Sequence, residues 1–241
     1  MAAIAEGLKK LLFPRARCLN CNEPRKIDLG APLCDECVIE LDELRLLDHI
    51  CPHCLSPKRH TEACGYCANG GMTGLAAAYS PYRYHGVSQQ LIVRLKFQGI
   101  YHAAEPLVEG MLSCFPGRPL DIMVPVPLHK SNYSKRGFNQ SELLCQLLFA
   151  ETGLPYQNAL SKTIKTKRQS TLSHEKRHDN IKGAFSAVMP VEGLRILLVD
   201  DVRTSGSTAR SCADVLLKAG AKEVSLLTAV VAAAYSEKSS S

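Results

Sequence analysis

The sequence predicts an α/β protein, a parallel sheet flanked by helices, with a small cysteine-rich head at its N-terminus. Apolar runs begin to alternate with helical patterns after residue 71. Residues 194–231 read as strand, helix and strand, and both strands are apolar enough to be covered on both faces. Eight of the 11 cysteines precede residue 68, so the head and the sheet differ sharply in composition. At 241 residues the chain exceeds one small domain and falls short of two average ones, which fits a main domain plus an appendage. Hydrophobic residues at 46% and charged residues at 22% exclude a globally disordered chain. The lack of tryptophan and the 6% aromatic content argue against a carbohydrate-stacking protein.

The longest apolar run, 226–235, is interrupted by Thr228 and is far shorter than the roughly 20 residues of a membrane-spanning helix. Residues 1–13 form a short amphipathic stretch rather than a charged head followed by a long apolar core, so no secretory leader is expected. The cytoplasm is the expected compartment. A net charge of +6 favours an anionic partner.

The early cysteines form four Cys-x-x-Cys pairs: Cys18/Cys21, Cys34/Cys37, Cys51/Cys54 and Cys64/Cys67. Each such turn presents two thiolates to one ion, and two turns complete the tetrahedral four-cysteine shell that zinc prefers. Eight ligands therefore predict two zinc ions. Spacers of 12, 13 and 9 residues each allow a short hairpin, so pairing first with second and third with fourth is simplest, and a crossed pairing stays open. A disulfide framework would need an oxidising compartment that the chain carries no signal to reach. About 50 residues enclose little core, so metal binding would supply most of the folding free energy of the head, on the order of 10 kcal/mol per site. A saturated thiolate shell leaves no position for water, and the expected role is structural. His49, His53 and His60 read as solvated loop residues, and Cys114, Cys145 and Cys212 as core.

Residues 1–70, with a short N-terminal helix, are expected to form this double zinc ribbon. The break Asn69-Gly70-Gly71 opens a main domain over 71–235, and 236–241 reads as a frayed tail. Within the main domain, strands are predicted at 75–79, 121–126, 194–199 and 224–231. Helices are predicted at 87–97, 102–114, 139–151 and 207–219, the third closed by Gly153. Pro125 and Pro127 end the second strand, and 128–138 reads as a loop.

Residues 196–208 carry most of the functional reading. An apolar strand ends in Asp200 and Asp201, and the turn Thr204-Ser205-Gly206-Ser207-Thr208 leads into a helix. Unpaired N–H groups and the positive dipole end at such a helix start favour a phosphate, which Gly206 lets the main chain approach closely. Carboxylates repel phosphate and suit neutral hydroxyls or Mg2+ instead. The combination asks for a sugar phosphate. The same acids resemble a Walker B strand, but no Gly-x-x-x-x-Gly-Lys-[Ser/Thr] exists in the chain, which excludes that class. A surface turn merely capped by Ser and Thr would leave adjacent carboxylates repelling each other for no benefit.

The 13-residue run resembles the phosphoribosyl diphosphate (PRPP) signature of type I phosphoribosyltransferases. The whole chain, over about residues 8–232, resembles the ComF family, also called GntX or competence protein F. The resemblance is carried by Leu-Leu-Phe-Pro at 11–14, Leu-Lys-Phe-x-Gly at 95–99 and Val-Pro-Val-Pro-Leu-His at 124–129. It continues through Arg-Gly-Phe-Asn-Gln-Ser-Glu at 136–142, Gln-Ser-Thr-Leu at 169–172, Arg177, Asn180 and Gly-Ala-Phe at 183–185.

It implies a type I phosphoribosyltransferase-like sheet binding Mg2+ and PRPP. Asp200 and Asp201 would be the catalytic pair, holding the ribose 2′ and 3′ hydroxyls. Arg203, Thr204, Ser205, Gly206, Ser207 and Thr208 would wrap the 5′-phosphate. The turn at 125–129 would form the diphosphate loop and residues 165–177 a mobile basic hood, the contacts to diphosphate coming from Pro127, Leu128, His129, Lys135, Arg136, Lys165, Lys167, Arg168 and Arg177. The family is associated with uptake or use of external DNA, and its acceptor is not fixed by the resemblance. Thr204 stands where the purine-salvage branch has an acid, so purine-base salvage is not expected.

Residues 128–182 carry ten basic and four acidic side chains, an excess equal to that of the whole chain, which suits diphosphate or nucleic acid. The alternative function is therefore a single-stranded DNA-binding protein with a regulatory or vestigial PRPP site. His174-Glu175-Lys176-Arg177-His178 matches the zinc-protease pattern, but its cationic flanks and lack of an apolar stripe argue for a loop.

Overall fold

The computed structural model describes residues 17–24, 32–46, 51, 53–55, 64–68, 70–163 and 183–232. The predicted N-terminal helix, the tail, His49, His60 and the His174–His178 run lie outside them.

The centre of the sheet is the pair β6 (Arg195–Arg203) and β7 (Glu223–Val231), the two strands whose sequences are almost continuously apolar. The order is β1-β7-β6-β3 and every pairing is parallel. β1 (Ala78–Tyr79) and β2 (Tyr82–Arg83) lie on β7 in one register, Ala78 opposite Leu226 and Tyr82 opposite Val230. They are one edge strand broken at Ser80 and Pro81, where proline has no N–H for the ladder. On the other edge β3 (Ile122–Pro125) pairs with β6, and Asp121 clasps Arg195 through two guanidinium contacts of 3.0 and 2.8 Å.

Side chains alternate across the sheet with period two. Leu197 and Val199 face α3 (Gly86–Gln98), α4 (Glu105–Ser113) and α6 (Gln140–Thr152), whose Leu91, Leu107 and Leu144 complete that core. Ile196 and Leu198 face α7 (Ser207–Lys218) and the antiparallel hairpin of β4 (Leu160–Lys162) and β5 (Phe185–Ala187), packing with Cys212, Leu216 and Phe185.

The cysteine-rich head is built into these cores. Cys18, together with Cys37 and Leu41 from α1 (Asp35–Glu43), shares a core with Val87 and Leu91, while Cys51 and Cys54 share one with Met72 and Leu75. α2 (Gly65–Ala68) carries Cys67. Beyond α1, Leu46 donates to the Pro81 carbonyl at 2.9 Å and Arg83 donates to Leu44 at 2.9 Å, so the head adds backbone pairing at the β2 edge. Cys145 and Cys212 are fully buried and Cys114 packs at the core margin, as expected of core thiols; His53 is exposed.

Three sequence expectations need correction. Residues 128–138 are not a loop throughout, because α5 (Lys130–Arg136) forms there between a His129 cap and the left-handed Gly137 at φ 83°. None of its residues is buried, so there was no apolar period to detect. Residues 102–114 divide into a 3-10 turn, Tyr101–Ala104, and α4. β6 runs on to Arg203, which places Asp200 and Asp201 inside the strand rather than beyond its end.

Candidate functional site

In each cysteine cluster the four sulfurs lie within 4.8 Å of one another, and the grouping is sequential: Cys18, Cys21, Cys34 and Cys37, then Cys51, Cys54, Cys64 and Cys67. Tetrahedral zinc with bonds of about 2.3 Å requires sulfurs about 3.8 Å apart. Cys21 and Cys34 are 3.7 Å apart, Cys51 and Cys67 3.8 Å, and Cys54 and Cys64 3.4 Å. All eight are free thiols. The donor sets fit, and each cluster could hold one zinc ion. The backbone prepares the first cluster for anionic sulfur: Cys34 and Asn20 each donate an N–H to Cys18 Sγ at 3.4 Å, and Asn20 Nδ2 donates to Cys37 Sγ at 3.3 Å. Burial alone would raise the Cys18 thiol, but these donors outweigh it and bring it down to about 6.

The second site lies at the carboxyl edge of the sheet, where β6 runs on beyond the end of β3. The period-two alternation sends the adjacent acids to opposite faces. Asp201, buried on the α3 and α6 side, receives Lys96 Nζ at 2.8 Å on Oδ1 and Gln140 Nε2 at 3.1 Å on Oδ2. Asp200, half-buried, accepts the Asp201 N–H at 2.9 Å and the Ser141 hydroxyl at 3.0 Å, both on Oδ1. Burial, reinforced by the neighbouring Asp201 charge, pushes Asp200 up to about 7 despite the lowering effects of Lys96 and these donors.

Below the acids the chain turns through Thr204 and Ser205 to Gly206, whose φ of 70° lets it cap α7. Ser205 and Ser207 hydroxyls meet at 2.8 Å. Asp200, Arg203, Thr204, Gly206 and Thr208 surround one narrow nook with Thr228. Its volume of about 20 Å³ has room for about one water. Thr228 Oγ1 lines it, 99% buried and without a hydrogen-bond partner. Four of the predicted phosphate residues, Arg203, Thr204, Gly206 and Thr208, thus line the nook, while Ser205 and Ser207 do not and bond each other instead.

The predicted diphosphate residues separate. Lys135 and Arg136 line an open cleft of about 400 Å³ with Lys96, Phe97, Gln98, Gly99 and Asn132. His129 instead caps α5, accepting the Ser131 N–H at 3.1 Å, and Pro127 and Leu128 are half-buried beside it. Lys165, Lys167, Arg168 and Arg177 lie outside the described residues; the β4–β5 pairing, Lys162 opposite Phe185, holds the two ends of their segment together.

Sequence reasoning missed Lys96, Gln140, Ser141, Lys162 and Thr228 as site residues. Lys162 is lowered by burial and interacts with Asp200 and Cys212. The motif 95–99 contained Lys96, but only the packing of α3 shows that its ammonium reaches across to β6.

A parallel α/β sheet bearing two four-thiolate clusters and a pair of strand-borne acids defines the class. The chain belongs to the ComF family of DNA utilization and competence proteins. It is 35% identical over 184 residues to the DNA utilization protein YhgH of Salmonella typhi, covering 73% of this chain and 81% of that protein. It is 29% identical to competence protein ComFC of Bacillus subtilis over 77% of this chain and 79% of that one. Competence protein F of Haemophilus influenzae is 37% identical over 43% of this chain and 47% of its own.

Among solved structures the chain is similar to a glutamine PRPP amidotransferase from B. subtilis, with 27% identity over 51% of this chain and 25% of that one, at a TM-score of 0.36. An adenine phosphoribosyltransferase from Thermoanaerobacter pseudethanolicus gives 15% identity over 56% and 83%, at a TM-score of 0.33. No protein-family model matches. Among the described residues no helix is long and apolar enough to cross a membrane.

Two zinc ions per chain are expected by atomic absorption, falling to one in Cys64→Ser. Because cysteines of both clusters sit in the two cores, zinc removal by a chelator should lower the melting temperature of the whole chain rather than release an independent head. Asp200 gives a pH signature. Its pKa is raised from 3.8 to about 7 on folding, so its contribution to stability falls as pH rises from about 4 and the loss is complete above about 7. Asp200→Asn should flatten that part of the urea-denaturation pH profile and be the more stable protein at pH 8; a profile unchanged by the substitution would contradict the buried-acid assignment.

Proposed function

We propose that the chain is a cytoplasmic PRPP-binding protein that acts with Mg2+ and transfers the phosphoribosyl group to a nitrogen acceptor in the handling of DNA. The observation that carries this reading is the sequence of groups at the end of β6: two acids in the strand, then a hydroxyl-bearing turn and the cap of α7. A 5′-phosphate suits the turn, through N–H groups at the helix start and the hydroxyls of Thr204 and Thr208. The neutral diol of a pentose suits the acids, which would repel phosphate. Membership of a family whose members are named for DNA utilization and competence supports the link to DNA.

Asp200 and Asp201 supply the hard oxygen ligands that Mg2+ accepts, and bound Mg2+ would offset charge on the leaving diphosphate. Transfer itself needs no protein nucleophile. The acceptor nitrogen lone pair forms the bond to ribose C1 as the C1–O bond to diphosphate breaks, with the electron pair leaving on diphosphate and the acceptor proton lost to solvent. The acids orient the sugar, and Lys135 and Arg136 face the departing charge.

Addition of PRPP and Mg2+ at about 100 times Kd should stabilise the full chain by about 2.7 kcal/mol. Asp200→Ala with Asp201→Ala should abolish the thermal shift, and a shift that survives would overturn the assignment.

A second reading, single-stranded DNA binding, is favoured by Phe97, 62% exposed, which lines the cationic cleft with Arg136 over its ring, and by the further exposed rings of Tyr101 and Tyr133. Rings beside cations suit stacked bases over a phosphate backbone. Oligonucleotide affinity measured by fluorescence anisotropy should fall steeply with salt, and Phe97→Ala with Tyr133→Ala should weaken it by about 1–3 kcal/mol per lost stack. Salt-insensitive binding that ignores both rings would count against this reading.

A further inference from the structure

The cation that neutralises Asp201 also belongs to the cleft. Lys96 Nζ sits 2.8 Å from Asp201 Oδ1, and Lys96 lines the 400 Å³ space with Asn132, Lys135 and Arg136. Three of the seven lining residues are cationic and none is acidic, and one of these cations, Lys96, reaches out of the cleft to the Asp201 carboxylate. Lys96 stands in the last turn of α3, where the following Gly99 ends the helix at φ 66°, and 20% of its side chain remains exposed. Its long stem gives the ammonium two reachable positions, one on the acid and one facing the cleft.

Both oxygens of Asp201 are occupied as the chain stands, Oδ1 by Lys96 and Oδ2 by Gln140. A sugar hydroxyl arriving there would compete with a charge-assisted contact about twice as strong as a neutral hydrogen bond. A multivalent anion in the cleft would instead draw the ammonium off.

We propose that Lys96 is a transferable cation: in the ligand-free protein it holds Asp201, and a diphosphate group in the cleft takes it over, releasing the carboxylate for the sugar diol. This rests on the PRPP reading given above and assigns it an order, diphosphate first and ribose engagement second. It makes Lys96 a binding residue for the diphosphate and a positioning residue for the sugar.

The split between two part-ligands tests it by calorimetry on the full zinc-loaded chain. Inorganic diphosphate carries only the cleft group, and ribose 5-phosphate only the diol and the 5′-phosphate. Lys96→Met should weaken inorganic diphosphate by about tenfold or more, as expected for loss of one charge-assisted contact, while ribose 5-phosphate binds as well as or better than to wild type. Lys96→Arg should restore diphosphate binding. If Lys96→Met is too unstable to purify, Lys96→Met with Asp201→Asn removes both charges of the pair and should still show the diphosphate loss. A purely structural Lys96 would weaken both ligands together, and an irrelevant one would weaken neither; either result overturns the proposal while leaving wild-type binding intact. Wild-type protein that binds neither part-ligand would overturn the PRPP reading itself, and this proposal with it.

Discussion

Two carboxylates stand next to each other in a strand buried between two layers of helix, and the surrounding architecture is arranged to tolerate them. Adjacent ionised acids taken out of water repel, and each loses hydration worth several kcal/mol. Strand geometry relieves the repulsion by pointing Asp200 and Asp201 in different directions, and each is then satisfied by donors brought to it by the helices and the strand itself. Asp201 draws on the last turn of α3 through Lys96 and on the first residue of α6 through Gln140. Asp200 draws on its neighbour's amide and on Ser141, and stays raised to about 7. The start of α6 therefore serves both acids, and Asn139, which caps that helix, also donates to the Val126 carbonyl at 3.1 Å. One short segment ties the turn after β3, the helix and the acid pair together.

Such an arrangement weakens the fold unless a ligand or its charge uses it. The neighbouring groups fit that view. Thr228 Oγ1 is buried beside Asp200 without a partner, and cations line the open cleft while the nook at the turn is closed to about one water. Acids, hydroxyls and cations thus gather at one end of β6, with Lys96 joining the acid pair to the cleft.

The cysteine clusters solve a different problem. Four sulfurs at tetrahedral spacing bring distant turns together with few apolar side chains, and their buried members then serve as core residues for the sheet domain. The head consequently contributes to packing on both faces of the body, through Cys18 and Cys37 on one and Cys51 and Cys54 on the other.

The sequence by itself determined whatever depends on neighbours along the chain. Cysteine spacing gave eight ligands, and apolar runs gave α7 and β7 to within a residue and the start of β6, though not its continuation to Arg203, because a strand buried on both faces and an amphipathic helix write their periods locally. The acids and the hydroxyl turn were legible for the same reason. Tertiary structure alone decided the sequential grouping of the cysteines, which spacing left open, and the existence of α5, whose exposed residues carry no apolar period. It alone brought Lys96 and Gln140 to Asp201 from 105 and 61 positions away in the chain, and Ser141 to Asp200 from 59. Contacts of that range arise from how helices pack on a sheet, so the motifs at 95–99 and 136–142 held these residues in the sequence without showing that they meet the acids.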